Sequence, residues 1–130
     1  MSKKILIVDD EPEMLDLLKI HLGNNKYDIV TAMDGESCLK TAASEKPDII
    51  ILDLLLPGIS GIEACRRLKE NDDTKDIPII MLTAAGNDMA SKGLEKGAVS
   101  FITKPFDISN LLSKIDAALK NKKIRRHRTK

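Results

Sequence analysis

Apolar residues in this chain gather in short unbroken runs. Four stand out, Ile5-Leu6-Ile7-Val8, Ile49-Ile50-Ile51-Leu52, Ile79-Ile80-Met81-Leu82 and the weaker Val99-Ser100-Phe101-Ile102; Tyr27-Asp28-Ile29-Val30-Thr31 is a fifth candidate. Runs this short and this continuous suit strands covered on both faces. Between them the apolar spacing turns helical. Met14, Leu18 and Leu22 recur every four residues with Leu15 beside them, and Cys38, Leu39, Ala42 and Ala43 form a second stripe. Ile62, Cys65 and Leu68 form a third, and Leu111, Leu112, Ile115, Ala118 and Leu119 a fifth. The fourth helical segment, roughly 88–96, has only Met89 and Leu94 as large apolar residues.

Punctuation agrees with this division. Gly23 and Gly97 are placed to end helices in the left-handed conformation. Asp34 and Asp107 are placed to cap helix N-termini, and Pro47 and Pro78 stand just ahead of strands. Five strands alternating with five helices predict an α/β domain: a parallel sheet with helices on both faces and right-handed crossovers. The pattern shows no internal repeat, no low-complexity stretch and no second domain.

Composition narrows the function classes. The 130 residues are the size of one ordinary domain, and aromatics are only 2%, so the core must be aliphatic. That scarcity argues against the aromatic platforms on which single-stranded nucleic acid stacks. No apolar run approaches the ~20 residues of a membrane span. Met1-Ser2-Lys3-Lys4 leads into only four apolar residues, too few for a signal peptide, so a cytoplasmic location is expected. Cys38 and Cys65 lack metal-ligand spacing and fall at apolar helix positions, as reduced core thiols do. The net charge of +1 hides an asymmetry: 7 of the 21 basic residues lie in 120–130, leaving 14 against 20 acidic residues, a net of −6, in 1–119.

In a doubly wound sheet, ligands bind beyond the carboxyl ends of the strands. The residues there are Asp9-Asp10-Glu11 after the first strand, Asp53 after the third, Thr83-Ala84-Ala85 after the fourth and Thr103-Lys104-Pro105 after the fifth. Clustered carboxylates repel one another, and a hard divalent cation such as Mg²⁺ relieves that repulsion. A carboxylate can also act as a nucleophile toward phosphorus, provided that cations and hydrogen-bond donors surround the transferred oxygens.

The segments Val8-Asp9-Asp10-Glu11, Asp53-Leu54-Leu55-Leu56-Pro57-Gly58-Ile59-Ser60-Gly61, Leu82-Thr83-Ala84 and Lys104-Pro105-Phe106 resemble the receiver domain of two-component response regulators. The resemblance spans residues 3–120. It implies a flavodoxin-like, chemotaxis-regulator-like sheet of strand order 2-1-3-4-5. It further implies Asp53 as phosphoacceptor, and a Mg²⁺ site (Mn²⁺ as substitute) from Asp9, Asp10, Asp53 and the Leu55 backbone carbonyl. Asp10 would be the more direct ligand of the acidic pair and Asp9 would act largely through water. Thr83 matches a switch hydroxyl, Lys104 the cation that pairs with the phosphoryl group, and Phe101 an aromatic switch residue. Lys104–Pro105 matches a bond usually cis in the family. The partners implied are a histidine kinase or phosphotransfer protein and a downstream output protein or effector domain, with phosphorylation-dependent homodimerisation in some relatives. Such a domain promotes its own phosphorylation and hydrolysis but is a switch rather than a turnover enzyme.

Two positions depart from some relatives. Leu55 and Ala85 are apolar where others carry polar groups beside the phosphoryl group. Leu56 replaces a frequent Met, a volume-conserving change. Each site residue alone has an ordinary reading: solvated acids at a helix start, a strand-end Asp, a β-branched strand Thr, a surface Lys. Phe101 is explained as well by core packing as by a switch. Rival functions are a pseudo-receiver used for docking or dimerisation, and an aspartyl-nucleophile phosphohydrolase, which normally wants an acid where Leu55 stands. A third is the N-terminal part of a DNA-binding regulator. Residues 1–120 are expected to form the domain and 121–130 a basic tail or linker. A tail without aromatics suggests nucleic acid only weakly and carries no sequence-specific readout.

Overall fold

Continuous apolar runs become strands because each residue finds a helix layer on whichever side it points. The computed structural model describes residues 2–84 and 87–128, excluding the side chains of 87–89 and 122–128. Ala85 therefore lies outside the described residues, as do the side chains of Met89 and of the basic tail beyond Asn121. The strands are β1 (Lys4–Val8), β2 (Asp28–Ala32), β3 (Ile49–Asp53), β4 (Ile79–Thr83) and β5 (Ser100–Thr103). They alternate with α1 (Pro12–Gly23), α2 (Gly35–Glu45), α3 (Gly61–Glu70), α4 (Asn87–Glu95) and α5 (Ile108–Arg128). All pairings are parallel and the order is β2-β1-β3-β4-β5, as the resemblance implied.

The two-residue period hidden in the runs divides the core. Leu6, Val8, Ile50, Leu52, Ile79 and Met81 pack with Cys38 and Ala42 of α2 and Ala64, Cys65 and Leu68 of α3. Their neighbours Ile5, Ile7, Ile49, Ile51, Ile80 and Leu82 pack with Leu15, Leu18 and Leu22 of α1 and Leu111, Ile115 and Ala118 of α5. Each fully buried Ile, Leu, Val or Met among them contributes about 1.5–3 kcal/mol. The two thiols are buried and unpaired, and burial pushes Cys38 up to about 12, so they act as small apolar residues.

Helix ends show one difference from expectation. Asp34 caps α2 as expected, accepting from Ser37 N–H at 2.7 Å. Asp107 precedes α5, its carbonyl accepting from Leu111 N–H at 3.1 Å. Gly97 is left-handed, with φ 116°. Gly23 is not: it is the last residue of α1, the helical conformation continues through Asn24, and the left-handed turn falls on Lys26 at φ 70°. The hydrogen bonds from Asn25 N–H to the Leu22 carbonyl and from Lys26 N–H to the Gly23 carbonyl tighten the last turn and move the reversal downstream.

Candidate functional site

β1 pairs with β2 on one side and β3 on the other, so the chain leaves it in opposite directions and a crevice opens past its carboxyl end. The register aligns Val8 with Leu52 and Thr83 with Thr103, while Asp53 pairs with Leu82. Those alignments bring Asp9, Asp53, Thr83 and Lys104 to one edge from four separate strand ends.

Asp9 and Asp53 form the floor of the site, 0% and 4% exposed. Lys104 Nζ lies between them, 3.0 Å from Asp9 Oδ2 and 3.0 Å from Asp53 Oδ2. The second oxygen of each acid is held by backbone: Asp9 Oδ1 accepts from Glu11 N–H at 2.9 Å and Asp53 Oδ1 from Leu55 N–H at 3.0 Å. This last bond keeps the Leu55 backbone beside the carboxylate, while the Leu55 side chain is 57% exposed. Asp10 and Glu11 stand exposed at the rim. Thr83 is buried, and its carbonyl accepts from Lys104 N–H at 2.8 Å, which ties the lysine backbone to β4. The Lys104–Pro105 peptide is cis.

Burial pushes the Asp53 carboxyl up from its ordinary value; hydrogen bonds from Leu55 and Lys104 pull it back, and the Asp9 charge pushes it up again. For Lys104, burial works against the charge, but its bonds to Asp9 and Asp53 outweigh that and move its pKa up. The ion cluster is thus stabilised internally, with an excess of negative charge.

That excess suits a hard cation. Asp9, Asp10, Glu11 and Asp53 each offer an oxygen, and the four lie within 4.8 Å of one another. Oxygen-only donors, two buried and two open to water, fit Mg²⁺, which keeps part of its hydration shell.

Phe101, half-buried in β5 beside Met81, packs against the α2 and α3 side of the core. It also lines an open groove of about 660 Å³ together with Leu94, Phe106, Asn110 and Lys114.

Two positions gained importance only in three dimensions. Gly61 opens α3 directly over the end of β3, where a side-chain carbon would overlap the Asp53 carbonyl. A glycine at the end of the loop that follows Asp53, just ahead of the helical stripe Ile62, Cys65 and Leu68, was the signal available. Glu11 carries the third acid into reach of Lys104, at 3.6 Å.

Comparison with known proteins bears directly on this geometry. The family model for the response regulator receiver domain matches residues 5–116. The alkaline phosphatase synthesis transcriptional regulatory protein PhoP of Bacillus subtilis (strain 168) is 43% identical over 125 residues, 95% of this chain. Those residues cover 51% of PhoP, so the chain spans about half the length of that curated relative. A crystal structure of a putative response regulator from Chloroflexus aurantiacus J-10-fl superposes with a TM-score of 0.88 at 33% identity, covering 92% of this chain and 99% of that one. A CheY-like receiver domain protein from Methanospirillum hungatei JF-1 gives 0.90 at 28% identity, covering 96% and 99%. Receiver domains are typically phosphoacceptor switches that bind Mg²⁺ at an acidic pocket. Among the described residues no helix is long and apolar enough to cross a membrane. With its sheet order, its acidic crevice and a family match over most of its length, this chain belongs to the response-regulator receiver domain family.

Proposed function

We propose that Asp53 is the phosphoacceptor of this domain, charged by a histidine kinase, a phosphotransfer protein or a small acyl phosphate in the presence of Mg²⁺. The observation that carries this reading is the seat of Lys104, 3.0 Å from both Asp53 Oδ2 and Asp9 Oδ2 at a shared strand edge. It sets a fixed positive charge beside a buried carboxylate, which is what an acyl phosphate forming there requires.

Asp10, Asp53 and the Leu55 carbonyl would hold the ion, with Asp9 acting largely through water; Mn²⁺ would substitute. Bound there, the ion neutralises charge on the transferred oxygens. An Asp53 oxygen attacks phosphorus while the bond to the donor's nitrogen or oxygen breaks and the donor keeps that electron pair. Lys104 and the Thr83 hydroxyl then donate to the phosphoryl oxygens. The pull on Thr83, at the end of β4, biases the segment from β4 to α5, with Phe101 following, and that face changes its affinity for a partner.

Residues 1–120 act as the switch and 121–130 as a basic tail or linker, in the cytoplasm. The output is a separate protein or an effector domain. A DNA-binding output is favoured by the similarity to PhoP, whose name describes a transcriptional regulator. Phosphorylation-dependent pairing of two copies through the same face is part of this reading, as is only a weak role for the tail toward nucleic acid.

The test is intact mass after incubation with acetyl phosphate and Mg²⁺, beside Asp53→Ala. A gain of one phosphoryl group that needs the ion and vanishes in the variant supports the reading. No gain under conditions that label a known receiver overturns it in favour of a phosphorylation-independent docking domain.

A further inference from the structure

Lys104 meets a third acid that phosphoryl transfer as proposed leaves unused. Glu11 Oε1 lies 3.6 Å from its Nζ, beside the 3.0 Å contacts to Asp9 and Asp53. Glu11 occupies the N-cap of α1, yet its side chain makes no capping bond. Ser, Thr, Asp or Asn serve that position far better, so helix capping does not account for a glutamate there. Its N–H instead donates to Asp9 Oδ1 at 2.9 Å, which ties the start of α1 to the acidic floor.

The ammonium and a divalent cation draw on the same two carboxylates, Asp9 and Asp53. A divalent cation held by Asp10 and Asp53, and by Asp9 through water, would stand close to the Lys104 ammonium and repel it, so metal entry requires Lys104 to give up part of its hold. The lysine side chain is only 13% exposed, and a largely buried ammonium that loses a partner is costly unless another takes its place. Glu11, 65% exposed and already within reach, is that other partner. While Lys104 rests on two carboxylates at 3.0 Å, a third at 3.6 Å adds little. Once a metal draws on Asp53 directly and on Asp9 through water, the same contact counts for more. We infer that Glu11 is a positioning residue that receives the Lys104 ammonium as a divalent cation binds, and so favours the metal-bound state. The inference rests on the reading of Asp9, Asp10 and Asp53 as the metal site.

Mg²⁺ affinity, measured by calorimetric titration without any phosphodonor, tests it in four proteins: the unaltered chain, Glu11→Gln, Lys104→Met and the double variant. Amide NMR spectra establish that each is folded, and Lys104→Gln supplies a second background should Lys104→Met not fold. Lys104→Met is expected to tighten Mg²⁺ binding by removing the competing cation. Glu11→Gln is expected to weaken it about threefold in the unaltered background, and not measurably where Lys104 is absent. Equal weakening in both backgrounds would mean that Glu11 acts on the metal directly, and would overturn the inference, as would no weakening in either. An unaltered chain that takes up no Mg²⁺ would instead overturn the metal-site reading itself.

Discussion

Gly61 and Asp53 are in backbone contact: a β-carbon on Gly61 would overlap the Asp53 carbonyl oxygen and lie 2.7 Å from the Leu54 Cα. The Gly61 N–H also donates to the Leu54 carbonyl at 3.0 Å. The first residue of α3 is thereby pressed onto the end of β3, one peptide from the proposed phosphoacceptor. Both clashing groups are backbone and cannot swing aside. Gly61→Ala is expected to cost about 2 kcal/mol of stability, read as a lower urea midpoint, because overpacking of this kind costs ~1–3 kcal/mol. It is also expected to slow phosphorylation of the folded fraction. A variant as stable as the unaltered chain would refute the contact.

Gly23 and Gly97 should respond in opposite senses. Gly23 is helical with nothing within 4 Å of an added β-carbon. Gly23→Ala is therefore expected to stabilise by about 0.5 kcal/mol. Gly97 has φ 116°, and its β-carbon would meet Lys69 Cγ at 2.7 Å, so Gly97→Ala is expected to destabilise by about 1 kcal/mol or more. Denaturant midpoints of the two variants check both signs, and a destabilising Gly23→Ala would return the left-handed turn to Gly23.

Glu63 should make part of the acid sensitivity of α3. Hydrogen bonds from Arg66 and Arg67 pull its carboxyl down to about 2. A carboxyl lowered on folding contributes stability that is fully present above its ordinary value of 4.5 and is lost as pH falls toward 2. The melting-temperature gap between the unaltered chain and Glu63→Gln is expected at pH 6, to close as pH is lowered through that window, and to shrink with added salt. A gap independent of pH would assign the effect to packing.

Leu55 offers a test of acyl-phosphate lifetime. Its backbone N–H is held by Asp53 while its side chain is largely exposed, so an amide placed there would stand beside the phosphoryl group proposed on Asp53. Leu55→Asn is expected to orient attacking water and shorten the half-life of the phosphorylated form several-fold, with Leu55→Ala changing it less. Equal half-lives in all three proteins would show that other residues govern hydrolysis.

The alternation of strands and helices was legible in the residues alone, because burial on both faces of a parallel sheet leaves a direct trace; the strand order rested on the family resemblance. Runs such as Ile49–Leu52 have no polar member, and stripes such as Leu15, Leu18 and Leu22 have the helical period. The sequence also placed Asp9, Asp10, Asp53, Thr83 and Lys104 at the ends of four of the five strands, since parallel strands present all their carboxyl ends to one edge. The tertiary structure decided what those residues do to one another. Asp9 and Lys104 are 95 residues apart, and only the register of the sheet sets their 3.0 Å contact and Glu11's approach to it. The same holds for Gly61 and for the turn that passes over Gly23 to Lys26. Backbone clearance and left-handed φ depend on how neighbouring segments pack, and local residue preference does not encode that.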